Sequence, residues 1–290
     1  MSRSELPVER WGRRLLAAVQ ARADRTAAGR FGFEFLMFGL KQGWACVFGA
    51  LMLAMLLGTH LVWRPEWPVA RYDAVLAGAL AVQAAMLLLR LEDLREARAI
   101  LIFHAVGTVM ELFKTAAGSW TYPEPSLVRL GGVPLFSGFM YASVGSYIAR
   151  IWRIQRFRFT GYPPAWETWA LAAAIYLNFF THHWTWDARW LLFAAAAWVF
   201  RRTWIVYRPD RADRRMPLLL GFLLVALFIW FAENLATFSH AWLYPAQRGG
   251  WSLVAPEKLG SWLLLMIISF VLVALVHPPR APDGEAVRSR

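Results

Sequence analysis

Long apolar segments alternate with short polar ones along most of this chain. Eight segments of roughly twenty mainly apolar residues can be marked, and a helix needs about that many to cross the hydrocarbon core of a bilayer. A soluble domain could not bury eight such segments. The pattern therefore predicts an all-α, polytopic membrane protein of about eight transmembrane helices, with spans at residues 43–63, 72–91, 97–116, 131–151, 166–184, 188–207, 216–238 and 258–277.

One pattern of residues occurs twice, and the two copies lie 122 residues apart. Nine identities at one offset, mostly of uncommon residue types, indicate an internal duplication. Because each copy holds four spans, both copies enter the membrane in the same orientation, which predicts a parallel 4+4 repeat about an axis along the membrane normal. The first copy contains Thr59, His60, Glu111, Thr115, Trp120, Tyr122, Pro123, Pro134 and Gly138, and the second contains Thr181, His182, Glu233, Thr237, Trp242, Tyr244, Pro245, Pro256 and Gly260.

The duplication also predicts how the chain is divided. Residues 31–158 form the first transmembrane repeat and residues 159–279 the second. A basic, amphipathic tail at residues 1–30 precedes them, and a short tail at residues 280–290 follows. Both tails are expected in the cytoplasm.

The distribution of the basic residues behind the net charge of +12 indicates the topology of the chain in the membrane. With the N-terminus inside, 24 of the 31 Lys and Arg residues fall in cytoplasmic tails and loops. This positive-inside bias places both termini in the cytoplasm and predicts a multi-pass protein of the bacterial cytoplasmic (inner) membrane. The lipid bilayer is the expected partner, and nucleic acid is not. The single Cys46 leaves no intrachain disulfide to form.

Two glutamates lie within predicted spans, where ionisable groups are costly and usually functional. Glu111 shares one helix face with His104, Thr108 and Thr115, at spacings of three and four residues. Such polar stripes should face the inside of the bundle. If the duplication brings Glu111 and Glu233 to one axial cavity, one carboxyl group could donate a proton while the other accepts one.

The candidate site follows from this convergence and includes the aromatic residues after each glutamate. Its predicted catalytic residues are Glu111 and Glu233, its substrate-binding residues are His104, Thr108, Thr115, Trp120, Tyr122, Tyr141, Asn178, Asn234, Thr237, Trp242 and Tyr244, and its proton relay is His60 and His182. The fourth span is expected to line the cavity, and the nearly featureless eighth span to form a lipid-facing wall.

Structural interpretations compete with these roles. Glu111 can form an ion pair with Lys114, three residues later on the same helix. The two relay histidines lie at predicted helix C-termini, where the helix dipole favours them. A metal site built from His60, His182 and the two glutamates is chemically allowed, but no HxxxH or ExxH spacing supports it. We therefore predict no metal and no cofactor.

Several strings resemble a known family. "FHAVGTVMELFKTAAGSWTYPEP", "GGVPLFSGFMYASVGSYIARIWR" and "NFFTHHW" are similar to the YoaT-like bacterial membrane proteins, domain of unknown function family 817. That resemblance covers nearly the whole chain beyond residue 30 and implies the membrane class without an activity. A weaker similarity, carried by Glu111, Gly118, Trp120, Tyr122, Gly132 and Pro134, is to carotenoid hydratases and lycopene cyclases. Leu135 and Phe136 replace the paired acidic residues of the cyclases.

Three functions fit these observations. The first is an intramembrane acid–base enzyme acting on an isoprenoid or other lipid, a small hydrophobic substrate. The second is a proton-coupled small-molecule transporter with the two glutamates as proton carriers. The third is a non-catalytic membrane partner protein in which the glutamates are structural. The sequence leaves the oligomeric state open.

Overall fold

Helices dominate the computed structural model, which describes residues 17–92 and 94–283 without the side chains of Arg95 and Ala99. The predicted tails at residues 1–30 and 280–290 therefore lie partly outside the described residues. After a helical stretch at residues 17–23 come α1 (Ala27–Ala45), α2 (Val47–Val62), α3 (Arg71–Leu88), α4 (Leu94–Ala116), α5 (Phe136–Ile154), α6 (Ala165–Thr181), α7 (Arg189–Phe200), α8 (Leu218–Phe238) and α9 (Lys258–Val276).

Two small antiparallel sheets join the helices. In the first, β1 (Arg129–Leu130) pairs with β2 (Val133–Pro134) around Gly131 and Gly132, whose φ angles of 53° and 85° suit glycine. The second sheet has the order β3 (Arg158–Thr160), β4 (Trp204–Tyr207) and β5 (Arg214–Pro217). In sequence, β3 lies between the helices of the two predicted repeats, and β4 and β5 lie between α7 and α8.

Four helices of the described part are long and apolar enough to cross a membrane. They are α3, residues 96–116 of α4, α8 and α9. Helices α1 and α2 add a fifth candidate if they count as one span, although they meet at an angle of 64°. The predicted class is confirmed at this level: the protein is mostly helical and has several helices long and apolar enough to cross a membrane.

Two predicted spans differ from the structure at their ends. The sixth, 188–207, is helical only over α7, which is a 12-residue helix. Its last residues form β4, because Trp204 to Tyr207 are aromatic and β-branched residues that favour a strand. The fourth predicted span, 131–151, begins too early in the chain. Gly131 and Gly132 form the turn of the β1–β2 hairpin, and the helix begins only at Phe136.

Helix α9 lies in the core of the bundle. It contacts α4, α5, α6 and α8, and most of its residues from Leu264 to Val273 are buried. The prediction that this segment forms a lipid-facing wall was wrong. A continuous apolar run does not by itself distinguish a helix that faces lipid from one that is surrounded by other helices.

Candidate functional site

Glu111 is the centre of the first hydrogen-bond network. Its side chain lies near the end of α4 and is only 4% exposed. Trp120 Nε1 and Tyr122 Oη, both from the loop after α4, donate to Glu111 Oε2 over 2.8 and 2.5 Å. Tyr141 Oη, from α5, donates to Oε1 over 2.8 Å. Both oxygens of this buried carboxylate therefore have donors, as a buried charge requires.

Glu233 holds the matching position on α8 and is 3% exposed. Tyr244 Oη donates to Glu233 Oε1 over 2.5 Å, and Trp262 Nε1 donates to Oε2 over 2.7 Å. Tyr122 and Tyr244 each follow their glutamate by eleven residues. Each of the two glutamates is thus bound by a tyrosine that stands at the same place in the repeated pattern.

The phenols of these two loop tyrosines keep their protons at neutral pH. Burial raises the pKa of Tyr122 well above its usual range, and the neighbouring Glu111 carboxylate raises it further. Burial and Glu233 act on the pKa of Tyr244 in the same direction. Both tyrosines are therefore available as hydrogen-bond donors.

The donors determine where a proton can reside on each glutamate. An indole N–H can only donate, so Oε2 of either glutamate must remain an acceptor. In Glu111 this oxygen already accepts from both Trp120 and Tyr122. A proton on Glu111 therefore belongs on Oε1, facing Tyr141, and a proton on Glu233 belongs on Oε1, facing Tyr244.

A backbone contact joins the loops that follow the two glutamates. Thr121 and Leu243 exchange two hydrogen bonds of 2.9 Å as an isolated antiparallel bridge. These residues are 122 positions apart, the same offset as the repeated pattern. Beside the bridge, the ring of Trp120 meets that of Tyr244 edge to face at 6.1 Å between centroids. A partner of Glu111 thus contacts a partner of Glu233.

Both glutamates line one cavity of about 400 Å³. This volume lies within the range of small-molecule sites. Its apolar wall comes from α5, α6, α8 and α9 and includes Val144, Ile175, Ile229, Leu264 and Leu265. The predicted site residues that line it are Glu111, Trp120, Tyr122, Tyr141, Asn178, His182, Glu233, Trp242 and Tyr244.

Lys114 also lines the cavity, but it does not pair with Glu111. Its ammonium lies 2.9 Å from His183 Nε2 and 3.4 Å from His182 Nε2, over the ring of Phe179 at 4.2 Å from the centroid. The alternative of an ion pair between Glu111 and Lys114 is not realised, because the carboxylate is held by the three aromatic donors instead.

Several predicted residues lie away from the cavity. The hydroxyl of Thr108 donates to the carbonyl of His104, whose ring packs on Phe139. Thr115 is half-buried on α4 and does not line the cavity. Asn234 supports the backbone of the loop before α9 by accepting from Val254 N, and Thr237 accepts from Trp251. The ring of His60 meets that of His240 at 5.2 Å.

The residues considered as metal ligands do not all meet at one place, because His182 lines the cavity and His60 does not. Within residues 17–92 and 94–283, no three His, Cys, Asp or Glu side chains form a group able to hold a metal ion.

Comparisons with known proteins identify the family. The family described as "Protein of unknown function (DUF817)" matches residues 34–270. The chain belongs to this DUF817 family. It is 46% identical to "Uncharacterized protein YoaT" of Bacillus subtilis (strain 168) over 241 residues, which cover 83% of this chain and 90% of that protein. No solved structure matches this DUF817 chain. These matches do not show the similarity to carotenoid-modifying proteins.

Sequence reasoning missed two residues of this DUF817 site, Trp262 and Lys258. Trp262 follows Glu233 by 29 residues and takes the place that Tyr141 takes 30 residues after Glu111. A search near the matching position of the second repeat would have found it. Lys258 lies at the start of α9 with its ammonium 4.5 Å from the centre of the Tyr244 ring.

Proposed function

We propose that this protein is an intramembrane enzyme that uses Glu111 and Glu233 as an acid–base pair on an isoprenoid or other lipid. One observation carries the proposal: both buried carboxylates line a single, mainly apolar cavity, and each has one oxygen left for a proton. Such a pair can donate a proton at one point of a substrate and remove one at another.

The roles of individual residues follow from the hydrogen bonds. Glu111 acts as the general acid, and its proton leaves from Oε1 through Tyr141 into the cavity. Glu233 acts as the base or as the negative charge that stabilises a cationic centre, with Tyr244 as its route to the cavity. The rings of Trp120, Tyr122, Trp242 and Tyr244 line the cavity and would stabilise a carbocation by cation–π contact.

We further propose the membrane arrangement that this function needs. Helices α2 to α9 are eight membrane helices in a parallel 4+4 repeat, with both termini in the cytoplasm of a bacterium. The bridge between Thr121 and Leu243 supports a two-fold relation between the repeats, because it joins residues at matching positions. Helix α7 extends only about 18 Å. Strand β4 completes its passage, with its backbone paired to both β3 and β5.

A second candidate is a proton-coupled transporter. The same bridge favours it, since parallel repeats that meet on an axis above a binding cavity are typical of transporters. The two candidates predict different changes in living cells. An enzyme changes the chemical identity of its lipid, whereas a transporter changes only on which side of the membrane a molecule accumulates.

The test is an untargeted lipid and isoprenoid profile of a deletion strain, complemented with wild type, Glu111→Gln, Glu233→Gln or the control Glu66→Gln. Glu66 is exposed and lies outside the cavity. We expect a precursor that accumulates on deletion, is consumed by wild type and by the control, and persists with both site variants. The amount of inserted protein is measured for each variant.

Each contrary result has a distinct meaning. An unchanged profile on deletion would refute the enzyme, and proton flux in proteoliposomes would then test the transporter. If both site variants fail to insert, the glutamates are structural, as expected of a non-catalytic partner protein. Full consumption of the precursor by both inserted variants would remove them from catalysis.

A further inference from the structure

Several basic side chains line the cavity. Lys114, Arg189 and Lys258 all line it, together with the imidazoles of His182 and His183. They come from the end of α4, the start of α7, the start of α9 and the turn after α6. Four separate elements thus bring basic groups to one cavity, whose lining is otherwise mainly apolar.

Not all of these cationic side chains form an ion pair within the described part of the protein. Arg189 has its own partner in Asp187, at 3.2 Å. The ammonium groups of Lys114 and Lys258 have no carboxylate at ion-pair distance among the residues that the structure describes. Lys114 is only 4% exposed, and a buried ammonium is costly unless it is paired.

The histidines beside Lys114 do not supply the missing charge. His182 Nδ1 lies 2.9 Å from the carbonyl oxygen of Asn178, which can only accept, so Nδ1 carries the hydrogen. His182 Nε2 faces the ammonium of Lys114 at 3.4 Å. His183 Nε2 lies 2.9 Å from the same ammonium. An imidazole carries no negative charge, so the two rings position the lysine without neutralising it.

The carboxylates of the site form their hydrogen bonds with other groups. Glu111 has three donors and Glu233 has two, all of them aromatic side chains. Glu233 attracts Lys258 only from beyond ion-pair distance, so both ammonium groups line the cavity without an ion pair among the described residues. A phosphate monoester, which carries about two negative charges near neutral pH, can accept from both ammonium groups at once.

We propose that Lys114 and Lys258 bind the phosphate monoester head group of an amphiphilic lipid. The hydrocarbon chain of that lipid lies along the apolar wall formed by Val144, Ile175, Ile229, Leu264 and Leu265. This inference rests on the proposed function, whose substrate class it names: a lipid monophosphate held by its head group near the acid–base pair. Free inorganic phosphate offers the same head-group chemistry without the chain.

The test measures ligand-induced thermal stabilisation of the full chain in nanodiscs of neutral phosphatidylcholine, since a ligand that binds the folded state raises Tm. The probes are farnesyl monophosphate, farnesol and inorganic phosphate. The variants are Lys258→Gln, the charge-preserving Lys258→Arg and the control Arg248→Gln. Arg248 is an exposed cation outside the cavity lining. Lys258 is chosen because Lys114 is more deeply buried and its removal affects folding.

We expect saturable stabilisation of wild type by farnesyl monophosphate alone. Lys258→Gln should weaken the apparent affinity at least tenfold, whereas Lys258→Arg and Arg248→Gln should stay within about threefold of wild type. Equal stabilisation by farnesol would show that the protein does not recognise the phosphate head group. Equal stabilisation by inorganic phosphate would show a free-anion site. Either result, or an unchanged affinity in Lys258→Gln, overturns the proposal.

The same experiment separates this inference from the proposed function. Glu111→Gln should retain binding of farnesyl monophosphate, since the head group is bound by Lys114 and Lys258 and the Glu111 side chain is bound by its own aromatic donors. Binding without any lipid change in the deletion strain would refute the enzyme and keep the anion site. A lipid change that depends on Glu111, together with no binding of farnesyl monophosphate, would keep the enzyme and refute the anion site.

Discussion

Two tyrosines beside Glu111 offer a sharp test of the proton path, because the same substitution has different expected effects at each. Tyr122 donates to Oε2, which also accepts from Trp120, whereas Oε1 accepts only from Tyr141 among the described residues. Tyr141→Phe removes the group through which the Oε1 proton reaches the cavity. Tyr122→Phe removes one of two donors from an oxygen that carries no proton.

The stability losses should be similar and the activity losses very different. A hydrogen bond to a charged group contributes about 1.5–3 kcal/mol. For a chain of 290 residues, with an unfolding entropy of about 2.1 cal/mol/K per residue, that corresponds to a fall in Tm of roughly 2–5 °C for either variant. Tyr141→Phe should in addition lose about 10²- to 10⁴-fold in turnover, the usual contribution of general acid–base catalysis.

The assay is consumption of the accumulated precursor by membranes from each complemented strain, with Tm followed by tryptophan fluorescence in the same preparations. Tyr122→Phe should retain turnover within about tenfold of wild type. The reasoning fails if Tyr141→Phe is fully active. It also fails if Tyr122→Phe is as inactive as Tyr141→Phe while both proteins remain folded.

Two packing and charge predictions follow from other parts of the bundle. Gly107→Ala should displace Tyr141 and reduce turnover, because the new Cβ would lie 2.6 Å from Tyr141 Cγ and such overpacking costs about 1–3 kcal/mol. Gly58→Ala is the control, since a Cβ there meets nothing within 4 Å. Equal turnover of the two variants would contradict this prediction. Arg150→Met should destabilise by about 3–5 kcal/mol, because it leaves its buried carboxylate partner Glu92 without a counter-ion. Arg30→Met, at an ion pair in which Arg30 and Asp24 are 64% and 38% exposed, should cost less than about 1 kcal/mol, and equal losses of Tm would refute the distinction.

The sequence pattern predicted the helical segments because apolar length is a local property. It failed at the end of the sixth segment, where Arg201 and Arg202 interrupt the helix and β4 pairs with β3, which is distant in the chain, as well as with the nearby β5. It also failed for α9, because apolar composition does not reveal which neighbour covers a helix.

The site was predictable where its parts repeat and not where they depend on helix rotation. Glu111, Trp120 and Tyr122 stand in the repeated pattern and contact one another. The contact of Lys114 with two histidines arises from tertiary packing between helices, which no spacing along the chain encodes.

The bridge between Thr121 and Leu243 has a consequence for how the two halves can diverge. Its hydrogen bonds join backbone groups only, so almost any side chain is compatible with it, and a threonine can face a leucine there without loss. Point mutations at these positions are therefore tolerated, except proline, which removes the N–H. An insertion or deletion in either loop would shift the register and separate Trp120 from Tyr244. Loop length, rather than residue identity, therefore determines whether the contact between Trp120 and Tyr244 is kept.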